Sequence, residues 1–458
     1  MVLFCLILVF ALFLFLRGWK AESMVLFFFF LTDGFGLVPN AFKGEQSLDV
    51  YANIYMLAAF VITLFQRKPS GGMPVRYVKI TYAVFLAFFL LILWVNRTIY
   101  DVPWRDILIT AKSYPLLLSF VVFSTFTKEE ADSLRRNLFY ITLFLSVVFI
   151  IQVFTGIRLL TGLIGGYMDF GIVRFKRCYN IPILVYYFVF YGLFANPLNG
   201  QKKLLSQIVL IMAFILPMHR GFIASFVVLV MIGLYLIDRN RSRFFKSVLV
   251  LSVVLLPLSG ILIERFTSPT GGVNSIGELL SGGDITDFDY DVATKQTMYY
   301  RAGHAMERFF FIADDPMYSA FGFGFWNDDN DVALDKVDFI VKSFNSEMTE
   351  MDIPFYTADI AWSIFFLRLG FLGTILYLSF FFSLLWFFYK NRHLSPLAIA
   401  DLCCLLLVLF TSVSSVEIIT FTAFILAFMD FYYLKRMKAA EQNPLKSDTD
   451  GLFEQNME

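Results

Sequence analysis

The sequence predicts an all-α, polytopic membrane protein with about 12–13 transmembrane helices and one large external loop between its late helices. Three observations lead there. Of 458 residues, 58% are hydrophobic and 57 are phenylalanine, and the mean hydropathy of +0.70 is far above that of a water-soluble domain. The apolar residues form repeated runs close to the roughly 20 residues that cross a bilayer core. Between two late runs, charge gathers in one segment, 264–358, which holds 17 acids against six basic residues.

In chain order the runs are 1–16, 23–38, 50–65, 78–95, 106–126, 137–154, 181–195, 204–217, 222–237, 247–263, 359–389, 397–411 and 418–434. The first, "MVLFCLILVFALFLFL", has no basic leader and no small-residue cleavage site, so it reads as a retained span. Organisation follows from the list. A bundle of about ten spans covers 1–263, the large loop 264–358, further spans 359–434, and a cytoplasmic tail 435–458.

Basic residues in short loops set the orientation. Placing "DRNRSRFFK" (238–246) inside puts 21 of the 37 basic residues on the same side. The N-terminus is then outside, the C-terminus inside, and the large loop external. A second external loop, 155–180, runs against the rule with four basic residues and one acid, which calls for either surface anchoring or function.

The net charge of zero leaves no electrostatic footprint for nucleic acid. The three histidines, His219, His304 and His393, are far apart, and no metal-ligand spacing joins them. "DFDYD" (287–291) and "NDDND" (327–331) lack the glycine and glutamate of a calcium loop and read as solvated acidic loops. The four cysteines show no framework spacing, so no structural disulfide is expected. No phosphate-cradling glycine loop is present, and neither metal nor cofactor is expected.

Charges within spans are costly and usually face an interior or an aqueous cavity. By this topology Asp33, Lys112, Asp359, Arg368 and Glu417 fall in or at the outer halves of their spans, and Asp401 and Asp430 near the inner ends. An outward-facing polar cavity accounts for the first set; snorkelling or local pairing of Lys112 and Arg368 is the alternative.

Three stretches carry candidate chemistry. In "PMHRGF" (217–222) two apolar runs are joined by little more than His219 and Arg220. A guanidinium beside the free N–H groups of a helix start suits a phosphate at headgroup depth; an interfacial arginine is the simpler reading. In "TMYYRAGHAMERFFFIADDP" (297–316), Arg301, His304 and Arg308 share a helical face. That helix is expected to end near 314–316, with Gly322 and Gly324 marking a tight turn, while a merely solvated face remains open. In "FYTADIAWSIFFLRLGFLG" (355–373), Asp359 enters a long span that Gly370 and Gly373 interrupt, and it serves either as helix cap or as general base. The large external loop offers the aromatic rings of Tyr299, Tyr300, Phe325 and Trp326 as stacking surfaces.

Taken in order, "RFKRCYNIP", "HRGF", the arginine-led helix with its "P..G.G" turn and "DIAWSIFFLRLGFLG" resemble the membrane O-antigen polymerase and ligase superfamily, mainly over 170–380. The resemblance implies a glycosyltransferase C-type membrane fold in a bacterial inner membrane with the large loop periplasmic. It implies as activity the polymerisation of undecaprenyl-diphosphate-linked oligosaccharide repeat units for O-antigen, capsule or exopolysaccharide. Partners would be the lipid-linked glycan donor and acceptor, the bilayer and a chain-length regulator.

Carried onto matching positions, Arg220 and Arg301 would hold the lipid diphosphate, while Arg177 with Arg174 would position lipid-linked substrate. His219, Arg308, Arg368 and Lys112 complete the expected binding set. Asp359 or His304 would take the acceptor proton. In ligases of this superfamily the residue entering the span after the loop is typically histidine, whereas here it is Asp359, which favours a polymerase. An O-antigen ligase and a non-enzymatic lipid-oligosaccharide flippase are the alternatives.

Overall fold

The computed structural model describes residues 2–43, 47–66, 76–162, 164–170, 173–237, 297–327, 341–344, 350–353 and 360–442. The expected span 247–263, residue Asp359, both acidic clusters apart from Asn327, and the tail beyond 442 lie outside them.

Helices α1 (Val2–Leu16), α2 (Lys20–Leu31), α3 (Asn40–Lys43), α4 (Asp49–Gln66) and α5 (Arg76–Thr98) open the chain. Next come α6 (Trp104–Thr110), a 3-10 turn at Tyr114–Leu118 leading into α7 (Ser119–Val122), and α8 (Lys128–Thr155). After α9 (Val185–Phe194), α10 (Gly200–Ile215) and α11 (Arg220–Ile237), α12 (Thr297–Ala313) and α13 (Pro316–Phe321) precede the long α14 (Ala361–Lys390). The chain closes with α15 (Pro396–Thr411), α16 (Glu417–Thr420) and α17 (Ile425–Gln442).

Each of the twelve predicted runs within the described residues is helical in whole or part. Five helices (α4, α5, α8, α11 and α14) are individually long and apolar enough to cross a membrane, and a bent pair at 104–125 makes a sixth. This is a multi-pass membrane architecture.

Two departures come from backbone hydrogen bonding. First, the fold is not purely helical: β1 (Ile164–Phe170) pairs antiparallel with β2 (Val173–Cys178), and β3 (Val341–Phe344) with β4 (Glu350–Ile353). Both hairpins fall in segments expected to be external loops, where a ladder satisfies backbone groups that no helix covers.

Second, two spans expected to be continuous are broken, and a third is interrupted at one of its two expected glycines. Run 106–126 bends by 61° between α6 and the segment from Tyr114. Pro115 has no N–H to continue the helix, and the residue before a proline avoids the helical region. Run 418–434 begins as the short α16, turns at Phe421 with φ of +63°, and becomes regular only at Ile425. In α14 the interruption is at Gly370 alone, with φ of +65°; Gly373, expected to share that role, stays helical and packs toward Ile92 and Phe88. Thr374 donates to the carbonyls of Gly370 (2.6 Å) and Phe365 (3.2 Å), satisfying acceptors that the kink frees.

The centre of the bundle is α14 against α5, flanked by α15 against α9 and α11. Phenylalanine and tyrosine fill it. Phe89 stacks on Tyr114 at 4.3 Å and Tyr82 meets Phe120 at 4.7 Å, joining α5 to the bent segment. At one end of the bundle, buried Arg135 of α8 pairs with Asp430 of α17, which also accepts from the hydroxyl of Tyr187.

Candidate functional site

The breaks converge. Two adjoining cavities of about 700 and about 450 Å³ share Leu31, Val416, Thr420 and Thr422 as common walls. The larger is bordered by Asp33, Tyr179, Asn180 and Glu417. The smaller is bordered by Asp49, Lys112, Tyr114, Asn327 and Arg368. Four of the five outer-half charges singled out in the sequence therefore line one hollow. Polar backbone and charge at membrane depth are tolerated where they face such a space.

The backbone around it is strained. Five non-glycine residues have positive φ among those described, and three of them, Asp33, Phe35 and Phe421, lie in turns whose residues line the larger cavity. Each such residue costs on the order of 1–3 kcal/mol and persists only where its surroundings impose it, which is characteristic of binding sites.

One wall is formed by the segments on either side of the β1–β2 hairpin, 160–162 and 179–184. Asn180, which follows β2, donates to the carbonyls of Leu160 (2.9 Å) and Thr161 (3.0 Å) and accepts from Gln152 (2.9 Å). Gln152 in turn accepts from the backbone N–H groups of Leu159 and Leu160. Thr161 N donates to Gly36 O at 2.8 Å, tying this wall to the strained 33–36 turn. The asparagine was visible within "NIP", but its several partners, all distant in sequence, could not be read from it.

Beside that wall sits the histidine–arginine turn. Arg177 donates from Nε to Pro217 O (3.2 Å), and its guanidinium lies 4.5 Å from the Tyr179 ring. His219 lies between Tyr179 and Phe222, 5.9 Å from each ring. Arg220 is the first residue of α11 and is half-buried. Arg177, His219 and Arg220 are thus gathered around one turn, outside the lining of both cavities. Arg174 stands in β2 opposite Asp169.

The α12 face is not solvated. His304 and Arg308 are fully buried, and Arg301 one turn earlier is half-buried. His304 Nδ1 hydrogen-bonds Ser363 Oγ at 2.8 Å. Arg308 pairs with Glu307 and donates to His304 O (3.3 Å). Burial, and then the charge of Arg308, pushes the His304 imidazolium down to about 2. A base so weak takes no proton from a sugar hydroxyl at neutral pH, which corrects its expected role. The ring is a positioning contact between α12 and α14.

Arg368 and Lys112 face the smaller cavity, each with a local partner. Lys112 forms an ion pair with Asp49 at 2.9 Å. Arg368 donates to the carbonyls of Gly324 (3.1 Å) and Trp326 (2.5 Å), clamping the turn after α13. That turn needs its glycines. A Cβ on Gly322 would stand 2.5 Å from Leu367 O, and one on Gly324 2.4 Å from Asn96 Oδ1.

Segment 412–417 joins these parts. Ser412 accepts from Ala361 N (3.1 Å) and Trp362 Nε1 (3.1 Å), next to the Ser363 that holds His304. Ser414 faces Gly221, whose Cβ position is 3.1 Å from Ser414 Oγ. Val416 and Glu417 then enter the cavity wall. The sequence marked Glu417 and showed Asn180 within "NIP", but it did not reveal Tyr179, Asp49, Thr420 or Thr422: hydroxyl side chains carry no span-level signal, and an acid in the first turn of a helix, as Asp49 is, is ordinary. No family model matches this chain, and no curated protein matches it.

Proposed function

We propose that the chain is a metal-independent, inverting glycosyltransferase that polymerises undecaprenyl-diphosphate-linked oligosaccharide repeat units at the periplasmic face of a bacterial inner membrane. In this reading the chain crosses the membrane about 12–13 times, with the N-terminus outside, the C-terminus inside and 264–358 periplasmic. One observation supports it: the Arg177–His219–Arg220 turn packs Gly221 against Ser414, α12 bonds Ser363 beside the Trp362 that donates to Ser412, and the end of segment 412–417 lines a two-part hollow.

The reaction forms a bond between the acceptor hydroxyl oxygen and C1 of the donor sugar while the C1–O bond to diphosphate breaks. The electron pair leaves with the diphosphate. Arg220, at the N-terminus of α11, and Arg177 are suited to hold that growing charge. Arg301 is the third cation assigned to the leaving group. The acceptor proton goes to Asp359, and attack opposite the diphosphate inverts the anomeric centre. The smaller cavity, with Lys112 and Arg368 at its edge, is assigned to the acceptor sugar. The activated donor supplies the energy, so no cofactor enters, and polymer length would be set with a chain-length regulating partner.

Turnover of a lipid-linked repeat unit in membranes carrying Arg220→Ala or Arg301→Ala tests the assignment. Loss of roughly 10²-fold or more is expected for each at unchanged protein level. Asp359→Asn is expected to lower turnover more than donor binding. Polymer ladders of normal length in both arginine variants would discard the catalytic reading. A lipid-oligosaccharide flippase is the second reading, favoured by the broken spans around the hollow, a common transporter feature. Accumulation of single repeat units on the inner leaflet of the arginine variants would select it.

A further inference from the structure

At the other end of α5 and α14 from this hollow lies a third cavity, about 490 Å³, where the start of α5, the end of α14 and the last turns of α17 meet. The 23 residues of α5 separate it from the hollow by roughly 34 Å at 1.5 Å per residue. Arg76, Lys390 and Lys438 border it, and among the described residues that line it there is no carboxylate. Asn391 accepts from Lys438 Nζ at 3.1 Å, which fixes one cation at the rim. Ile80 and Phe387 form the apolar side of the cavity.

Further positive charge stands on the same helices, Lys79 in α5 and Lys435 and Arg436 in α17, with Glu129 and Glu130 near Arg436. Lys435, one turn before Lys438, is held below the usual lysine range by burial and then by neighbouring Lys79 and Arg436. Such crowding of like charge is relieved by an anion. Trp386 and Tyr389 of α14, next in sequence to the lining residues Phe387 and Lys390, are exposed, and exposed aromatics of this kind form the belts that meet headgroups. One turn deeper, Thr81 and Ser383 hydrogen-bond at 2.9 Å, so the two helices that frame the cavity are fastened together.

We propose that this cavity binds the phosphate of an anionic phospholipid, with Arg76, Lys390 and Lys438 around the headgroup and the glycerol–acyl junction against Ile80 and Phe387. Basic pockets between helix ends recognise lipids of this class, and each cation near the surface contributes about 1 kcal/mol. The site is independent of the hollow and of the reaction assigned to it.

Native mass spectrometry of the full-length protein in detergent, titrated with phosphatidylglycerol, phosphatidylcholine or inorganic phosphate, tests it. Phosphatidylglycerol adducts are expected to exceed phosphatidylcholine adducts by about tenfold at equal concentration, the effect of one to two effective cations. The variant Arg76→Gln/Lys390→Gln/Lys438→Gln should erase that preference. Lys128→Gln/Lys202→Gln/Lys203→Gln, which removes exposed cations elsewhere, should keep it. Equal loss in both variants overturns the proposal, as does displacement of the lipid by millimolar inorganic phosphate, which would make the occupant a free anion. If the first variant fails to fold, the wild-type comparison decides: a preference below about twofold overturns the site.

Discussion

Gly322 and Gly370 approach so closely that a Cβ on either would overlap the other's backbone: from Gly370 the Gly322 N would be 2.6 Å away, and from Gly322 the Gly370 N 2.9 Å. Both have positive φ, so an alanine there meets steric overlap and conformational cost together. Gly322→Ala is expected to destabilise the protein by roughly 2–3 kcal/mol, against about 1 for Gly200→Ala. Gly200 also has positive φ but nothing within 4 Å of its Cβ position. Thermal unfolding of the two variants in detergent checks the contrast, and equal shifts would remove the close-contact argument. His304 makes a second prediction. Its folded form is held neutral, with the imidazolium pushed down to about 2, while an unfolded histidine protonates near 6.5. The stability this contributes is complete above pH 6.5 and declines as pH falls, by up to about 1.4 kcal/mol per unit. Denaturation midpoints between pH 8 and 5.5 should therefore slope more steeply in wild type than in His304→Gln; parallel slopes would refute the assignment. The sequence offered His304 as a base, and only the packing of α12 on α14 reveals why it is not one.

Helix α8 illustrates what pattern reveals and what it withholds. Its start is legible: Thr127 caps it by accepting from Glu130 N (3.1 Å), and the Glu130 carboxylate accepts in turn from Thr127 N (2.6 Å). The partner of its arginine is not, because Asp430 lies 295 residues away. Arg135 and Asp430 are buried together, whereas Asp132, which also pairs with Arg135 (2.7 Å), is 47% exposed. Arg135→Ala leaves a buried carboxylate without its counter-charge and is expected to cost about 3–5 kcal/mol. Asp132→Ala removes only a wetted contact, about 0–1 kcal/mol. Similar losses of melting temperature in the two would count against the buried pair as the anchor between α8 and α17. The broken elements were partly legible. Gly370 was marked in the sequence as a breaker, whereas Pro115 stood unremarked inside a run taken as continuous, and the interruption at 421–424 involves phenylalanine and threonine, which announce nothing.

For the whole molecule, the expected orientation is open to a direct test. Cys178, Cys403 and Cys404 are buried and Cys5 is exposed, so a Cys5→Ser background reports on single introduced cysteines. Arg158 and Lys202 are both exposed and stand at opposite ends of the chain's path through α9. A membrane-impermeant maleimide should label Arg158→Cys in intact cells and Lys202→Cys only after lysis; the opposite pattern would invert the topology. Amino-acid content and the spacing of apolar runs by themselves determined that this chain is a helical, multi-pass membrane protein, and where nearly every helix falls. They did so because burial in lipid is a local demand: each run must satisfy its own backbone and present its own apolar surface. They also marked the charges that lipid would not tolerate. What only the tertiary structure decided is which of those charges share a space. Asp33, Glu417, Lys112 and Arg368 come from four separate segments, and their meeting depends on helix breaks and glycine contacts whose geometry is set by neighbours hundreds of residues away.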